Sequence, residues 1–389
     1  MKKLSIFTRV VHADRSEGEP SVSVPIYNAS VFALPDIEMG AKIHNFQAPG
    51  FFYGRLGNPT QAALEKTIAN LEHAEAALAF GSGMAAISAV LFAFLSAGDH
   101  IVAPASMYSA TTNLLKYLSS HFGIEVTFVD AEDAINYANA VRNETKLVWI
   151  ETPSNPLLQI TDITAVAQIA RECGAVSVID NTFASPFNQN PLQMGADIVM
   201  HSATKYLGGH SDLSAGVLAG NQELMNAVFD SSVKLNGGAL SPQTAWLLMR
   251  GIKTLALRMK QHNSNAYAIA NMLVYDSRVK TVYYPGLDTH RNFEIAKKQM
   301  IGFGGMLSVD FGDYESAVKF ANSLEIFSVA TSLGGVESLV QHSAGMTHAA
   351  IAREERIAAG VTDGLLRLSI GIEDEADLLA DIAQALNKL

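Results

Sequence analysis

Lys205 stands in Ser202-Ala203-Thr204-Lys205-Tyr206-Leu207-Gly208-Gly209-His210, directly after an apolar run. A primary amine among small residues at a strand end can form a Schiff base with a carbonyl compound. The plainer alternative is a solvated loop lysine, and the flanking hydroxyls and glycines argue against it. Asp180 closes the run Ala175-Val176-Ser177-Val178-Ile179. Burial raises a carboxyl pKa unless a cation lies beside it, and a protonated ring nitrogen would be such a cation; an N-cap or surface-turn aspartate is the alternative. Gly81-Ser82-Gly83-Met84 precedes a helical run over 85–95. Glycines permit close backbone approach, and the N–H groups of a helix N-terminus face an anion.

Further along, Tyr108 follows an apolar run ending at Pro104, where a phenol ring either stacks on a planar ligand or simply packs. Asn155, between Ser154 and Pro156, offers an amide to a phenolic oxygen. Arg367 lies inside the apolar stretch 365–370. A buried guanidinium needs a partner, either an internal carboxylate or the carboxylate of a substrate held by a bidentate pair. Gly81-x-Gly83-x-x-Ala86 also matches a dinucleotide-binding fingerprint. That reading is the weaker one because no clear hydrophobic strand precedes it. His201, His342 and His348 do not fall at metal-ligand spacing, so no metal site is expected. Tyr117, Trp149 and Trp246 read as core.

These residues sit at the ends of short apolar runs, 100–104, 125–129, 146–150, 176–180, 197–200 and 215–219, separated by amphipathic segments such as 163–171. Buried strands alternating with helices predict an α/β fold with a mostly parallel central sheet covered on both faces. Ligands of such sheets bind beyond the carboxyl ends of the strands, where the polar turns fall. From Ser241-Pro242 a helical pattern runs towards Tyr275, and strands over 304–311 and 365–370 then mix with helices over 315–324 and 373–386. That mixture predicts a smaller C-terminal α+β domain. The first 50 or so residues carry little regular signal and are read as a segment able to wrap a partner subunit.

The chain has 389 residues, 49% hydrophobic and 17% charged, enough to bury a large core without staples. A net charge of −11 repels phosphate backbones, so no nucleic-acid partner is expected. The one cysteine, Cys173, cannot form an internal disulfide or a thiolate zinc cluster, which suits a reducing cytosol. No signal peptide and no membrane span is read, the most apolar stretch, 85–97, being too short to cross a bilayer.

Taken together, Tyr53-Gly54-Arg55-Leu56-Gly57-Asn58-Pro59-Thr60, Gly81-Ser82-Gly83-Met84-Ala85, Pro153-Ser154-Asn155-Pro156, Asp180-Asn181-Thr182, Ser202-Ala203-Thr204-Lys205-Tyr206, Ser332-Leu333-Gly334-Gly335 and Arg367-Leu368-Ser369-Ile370-Gly371 resemble the pyridoxal-phosphate enzymes of cysteine and methionine metabolism. The resemblance runs from Thr8 to the final helix and implies the aspartate-aminotransferase-like fold (fold type I) with pyridoxal 5′-phosphate as cofactor. It implies a residue range 1–55 forming an arm against a neighbouring subunit, a cofactor-binding domain over 56–240 and a C-terminal domain over 241–389. By the same resemblance, Lys205 carries the cofactor as a Schiff base and moves protons. Asp180 pairs with the ring nitrogen, and Tyr108 stacks on the ring and serves as acid at the leaving group. Gly83, Met84, Ser202 and Thr204 hold the phosphate, and Tyr53 and Arg55 reach the phosphate of the neighbour. Arg367 holds the substrate carboxylate with Asn155, which also contacts the cofactor, and with the Ser332 backbone.

The implied working form is a homotetramer, a dimer of active dimers, acting on a small amino acid. The implied reaction is γ-elimination from a sulfur amino acid, with methionine γ-lyase activity first and cystathionine γ-lyase second. Cystathionine γ-synthase or acylhomoserine sulfhydrylase activity follows. Methionine γ-lyases usually read Tyr-Gly-Cys-Thr where this chain has Tyr108-Ser109-Ala110-Thr111, and many have Lys-Asp where it has Val233-Lys234. Many cystathionine γ-lyases have Glu where it has Thr331.

Overall fold

A computed structural model describes residues 4–14, 20–347, 349 and 352–389. Seven strands form the larger sheet: β1 (Ala76–Phe80), β2 (His100–Pro104), β3 (Glu125–Val129), β4 (Thr145–Glu151), β5 (Val176–Asp180), β6 (Ile198–Ser202) and β7 (Gly216–Gly220). Their order is β1-β7-β6-β5-β4-β2-β3. The pairs from β3 through β6 are parallel, whereas β7 runs antiparallel to both β6 and β1. β2 and β7 are buried along their whole length, as strands covered on both faces must be. On one face Ile87, Val90 and Leu91 of helix Gly83–Phe94 pack with Trp149 and Met200. On the other, Ile163, Val166 and Ala170 of helix Ile163–Glu172 pack with Val148 and Ile179.

The expected α/β class with its mostly parallel sheet is therefore what the chain forms, and six of its strands lie where the apolar runs predicted. β1 is a correction. A strand does precede Gly81, but the strand it pairs with is the antiparallel β7, and β2 lies far across the sheet. The loop thus sits in no parallel βαβ unit, and the dinucleotide reading fails on topology rather than on a missing strand.

The second sheet holds β8 (Thr281–Tyr283), β9 (Met306–Asp310), β10 (Ser328–Val329), β11 (Leu339–His342) and β12 (Leu365–Ser369), in the order β10-β11-β12-β9-β8. Helices Leu255–Val274, Tyr314–Ser323 and Glu375–Leu386 cover it through Ile269, Phe320, Leu378 and Ile382. Instead of one helix after Ser241-Pro242 there are two, Pro242–Ile252 and Leu255–Val274, divided at Lys253-Thr254. The Ser241 hydroxyl caps the first by accepting the Thr244 N–H at 3.1 Å.

The early residues also hold more regular structure than expected, with helices Ile6–His12 and Ile37–His44. Two aromatics were misjudged as core. Tyr117 is half exposed and stacks on His121, and Trp246 is half-buried, donating to the Ser23 hydroxyl. Trp149 is fully buried, as expected.

Candidate active site

Parallel packing brings the carboxyl ends of β4, β5 and β6 to one edge, where Glu151 pairs in register with Asp180 and Asp180 with Met200. A cavity of about 370 Å3 opens above that edge. Ten of the twelve residues expected at the site line it, Tyr53 and Arg55 being the two that do not. The C-terminal unit closes the cavity with Ser332, Gln341 and Arg367.

One end is built for an anion. Helix Gly83–Phe94 begins there, with the Ser82 hydroxyl accepting the Ala85 N–H at 3.1 Å, which leaves the amides of Gly83 and Met84 without intrahelical acceptors. Ser202 and Thr204 flank this helix end. A Cβ on Gly83 would stand 2.9 Å from Ser202, and one on Gly216 would overlap the Ser82 carbonyl. Small residues at both places let the turn, β6 and β7 meet. Thr204 is fixed by paired contacts with Ala215, donating to its carbonyl at 3.2 Å and accepting its N–H at 3.1 Å.

At the floor, Asp180 is 7% exposed and accepts the Thr182 N–H at 3.0 Å. Burial pushes its carboxyl upward, against the pull of Thr182's hydrogen bonds and the charge of His201. No lysine or arginine pairs with it among the described residues. It is neither an N-cap nor a surface turn. The Thr182 hydroxyl in turn accepts the Ser202 N–H at 2.9 Å, tying β5 to β6 at the cavity.

Lys205 reaches in from the loop after β6, its Nζ donating to the Ser332 hydroxyl at 2.6 Å. Burial, helped by the charge of Arg367, lowers its pKa to about 8. Buried Arg258 holds the loop by donating to the carbonyls of Tyr206 at 2.7 Å and Gly251 at 2.8 Å. Ser332 sits in the left-handed region with φ 79°, a conformation that costs a non-glycine residue about 1 kcal/mol.

Arg367 is 4% exposed, and burial brings its pKa down to about 10. It donates to Asn155 Oδ1 at 2.9 Å, to the Ser332 carbonyl at 2.6 Å and to Gln341 Oε1 at 2.9 Å, while its Nε is buried without an acceptor. No carboxylate pairs with it among the described residues, so of the two partners weighed for it the internal acid is absent.

Tyr108 is 40% exposed at the cavity rim, at the start of helix Ser109–Phe122. Ala110, two residues on, does not line the cavity. Tyr53 and Arg55 are exposed on the same chain's surface, with the guanidinium 6.0 Å from the Tyr53 ring centre. His201 is engaged by buried Glu72 at 2.5 Å and His342 by the Asp363 carbonyl at 2.8 Å; His348 lies outside the described residues. Sequence reasoning passed over Glu151, Thr182 and Gln341. Glu151 carried the same signal as Asp180, an acid closing an apolar strand, but was absorbed into the polar turn that follows it.

The family model described as Cys/Met metabolism PLP-dependent enzyme matches residues 7–387. The chain is 44% identical over 393 residues to an L-methionine γ-lyase of Fusobacterium nucleatum, spanning all of both chains. It is 46% identical over 384 residues to a cystathionine γ-lyase of Bacillus subtilis, covering 98% of this chain and 99% of that one. The solved structure of cystathionine γ-lyase from Lactobacillus plantarum, complexed with L-serine, superposes with a TM-score of 0.92 at 41% identity, covering 99% of each chain.

Proposed function

Because this chain belongs to the Cys/Met metabolism PLP-dependent enzyme family, we propose that it is a carbon–sulfur lyase that removes the sulfur substituent from the γ carbon of methionine, consuming one water and releasing α-ketobutyrate, ammonia and methanethiol. The cavity fits pyridoxal 5′-phosphate. Gly83 and Gly216 leave the close approach that a phosphate at a helix N-terminus needs, and buried Asp180 lacks the cation that a protonated ring nitrogen supplies. In this reading Gly83, Met84, Ser202 and Thr204 hold the phosphate, and Lys205 is the attachment point. When bound, the cofactor acts as an electron sink that acidifies the Cα–H and Cβ–H bonds of an amino acid joined to it.

The chain's own groups do the rest. Asp180 keeps a proton on the ring nitrogen. Arg367, aligned by Asn155 and the Ser332 carbonyl, grips the substrate carboxylate with its buried, unpaired Nε. With a pKa of about 8, Lys205 is neutral in roughly a tenth of molecules at pH 7. Its neutral amine takes the proton from Cα and then serves at Cβ. The Tyr108 hydroxyl at the rim protonates the departing sulfur.

The observation that carries the choice of methionine is the distribution of acids. Glu151 and Asp180 are the two carboxylates lining the cavity among the described residues, and both lie at its floor. At the place near the mouth where an acid would meet the distal ammonium of cystathionine stands Thr331. A methyl thioether asks for no such partner. Thr331→Glu should therefore raise kcat/KM for cystathionine relative to methionine about tenfold, or about 1.4 kcal/mol. An unchanged ratio would remove this position from the discrimination.

The same reading makes the working unit a dimer of active dimers, in which Tyr53 and Arg55, lying outside their own cavity, serve a neighbour's phosphate, Arg55 exchanging its bond to the Lys234 carbonyl for that contact. Residues 1–55 then form the arm against that neighbour, 56–240 the cofactor domain and 241–389 the closing domain. Among the described residues no helix is long and apolar enough to cross a membrane, and the single half-buried Cys173 suits a reducing cytosol.

A further inference from the structure

Glu151 is buried at 4% exposure at the end of β4, beside Asp180, and lines the cavity without a part in the steps above. Both of its oxygens are directed at backbone amides. The Tyr108 N–H donates to Oε1 at 3.1 Å and Oε2 at 2.9 Å, and the Asn155 N–H donates to Oε1 at 2.8 Å. Tyr108 is also the first residue before the 14-residue helix Ser109–Phe122, with no side-chain cap of its own, so the Glu151 oxygens meet the positive end of that helix; the two amides oppose the upward push that burial and the neighbouring Asp180 exert on this carboxyl. Two loops that approach the site from different strands are thereby tied to one side chain. One presents the Tyr108 ring and hydroxyl. The other presents Asn155, whose Oδ1 holds Arg367.

We propose that Glu151 is a positioning residue that fixes Tyr108 against Asn155 through their backbone amides, and so sets the phenol hydroxyl at the departing sulfur while Arg367 grips the carboxylate. The proposal rests on the roles given above to Tyr108 and Arg367. A buried acid kept only for folding would have no reason to bridge the two loops that carry those roles.

Glu151→Gln separates the two tethers. Glutamine keeps the oxygen that accepts the Asn155 amide and the longer, 3.1 Å contact from Tyr108, but puts an NH2 group where Oε2 accepted the Tyr108 N–H at 2.9 Å, a donor facing a donor. The Tyr108 tether is weakened while that of Asn155 stays. For the holoenzyme of this variant we expect kcat on methionine to fall tenfold or more. On O-acetylhomoserine, whose acetate leaves without needing a proton, kcat should fall less than threefold. KM for both should stay within threefold, and the visible circular-dichroism band of the bound cofactor should shift as the ring beside it moves.

Equal losses on the two substrates, or an unaltered dichroism band, would overturn the proposal. Tyr108→Phe measured alongside distinguishes the failures. If Tyr108→Phe splits the substrates and Glu151→Gln does not, Glu151 alone loses its role. If neither splits them, Tyr108 is not the acid and both assignments fall. Should Glu151→Gln not fold, Glu151→Asp keeps the carboxyl one methylene short and must show the same split at smaller amplitude; equal losses there overturn the proposal as well.

Discussion

A lysine is an ordinary cation until burial makes its charge expensive. Lys205 owes its lowered pKa first to burial and then to Arg367, which holds a second positive charge in the same cavity. The sign of the pH effect follows. Burial disfavours the charged form, so the neutral and nucleophilic fraction grows as pH rises through about 8 rather than through the usual lysine range. Adding pyridoxal 5′-phosphate to the apo-protein should give a rate of visible-band formation that climbs roughly tenfold per pH unit below 8 and levels above it. Lys205→Ala should form no such band. A plateau near pH 10 would place the amine in solvent. Asp180 was legible because it closes an apolar strand with a chemically demanding side chain, and Lys205 because it stands among small and hydroxyl residues in the loop just after one. The roles of Glu151 and Thr182 were not, because each acts through backbone amides of residues distant in sequence, Tyr108 for the one and Ser202 for the other.

Among the elements, the anion end is set by how closely three backbones approach. Gly216 on β7 leaves no room for a Cβ beside Ser82 and Gly83. Gly216→Ala therefore has to push the turn away from β7, at a cost of about 1–3 kcal/mol. Cofactor affinity, followed by the quenching of protein fluorescence on titration, should fall tenfold or more while the far-ultraviolet dichroism stays unchanged. An unaltered affinity would mean that the turn holds no phosphate. The sequence revealed β2 through β7 because each is built around a short cluster of apolar and β-branched residues. β1, Ala-Ala-Leu-Ala-Phe, escaped because alanine carries little strand preference. β8, β10 and β11 escaped because two to four residues give no period to read. The break at Lys253-Thr254 was hidden because the apolar pattern continues across it.

For the molecule as a whole, Tyr53 and Arg55 decide whether one chain suffices. Both were recognisable only by resemblance, since exposed side chains outside their own cavity carry no local signature of a role at a neighbour's site. Co-expressed Lys205→Ala and Arg55→Ala subunits should recover activity that neither variant has alone, because a mixed dimer contains one site with a native lysine and a native neighbouring arginine. Absence of recovery would assign Arg55 to its own chain. The account as a whole stands on the reaction itself. The purified protein loaded with pyridoxal 5′-phosphate should be assayed for α-keto acid with methionine, cystathionine and cysteine supplied separately. The cavity, with its acids confined to the floor, predicts α-ketobutyrate from methionine in excess of that from cystathionine. A preference for cystathionine, or turnover only when an acylated homoserine and a thiol are given together, would contradict it.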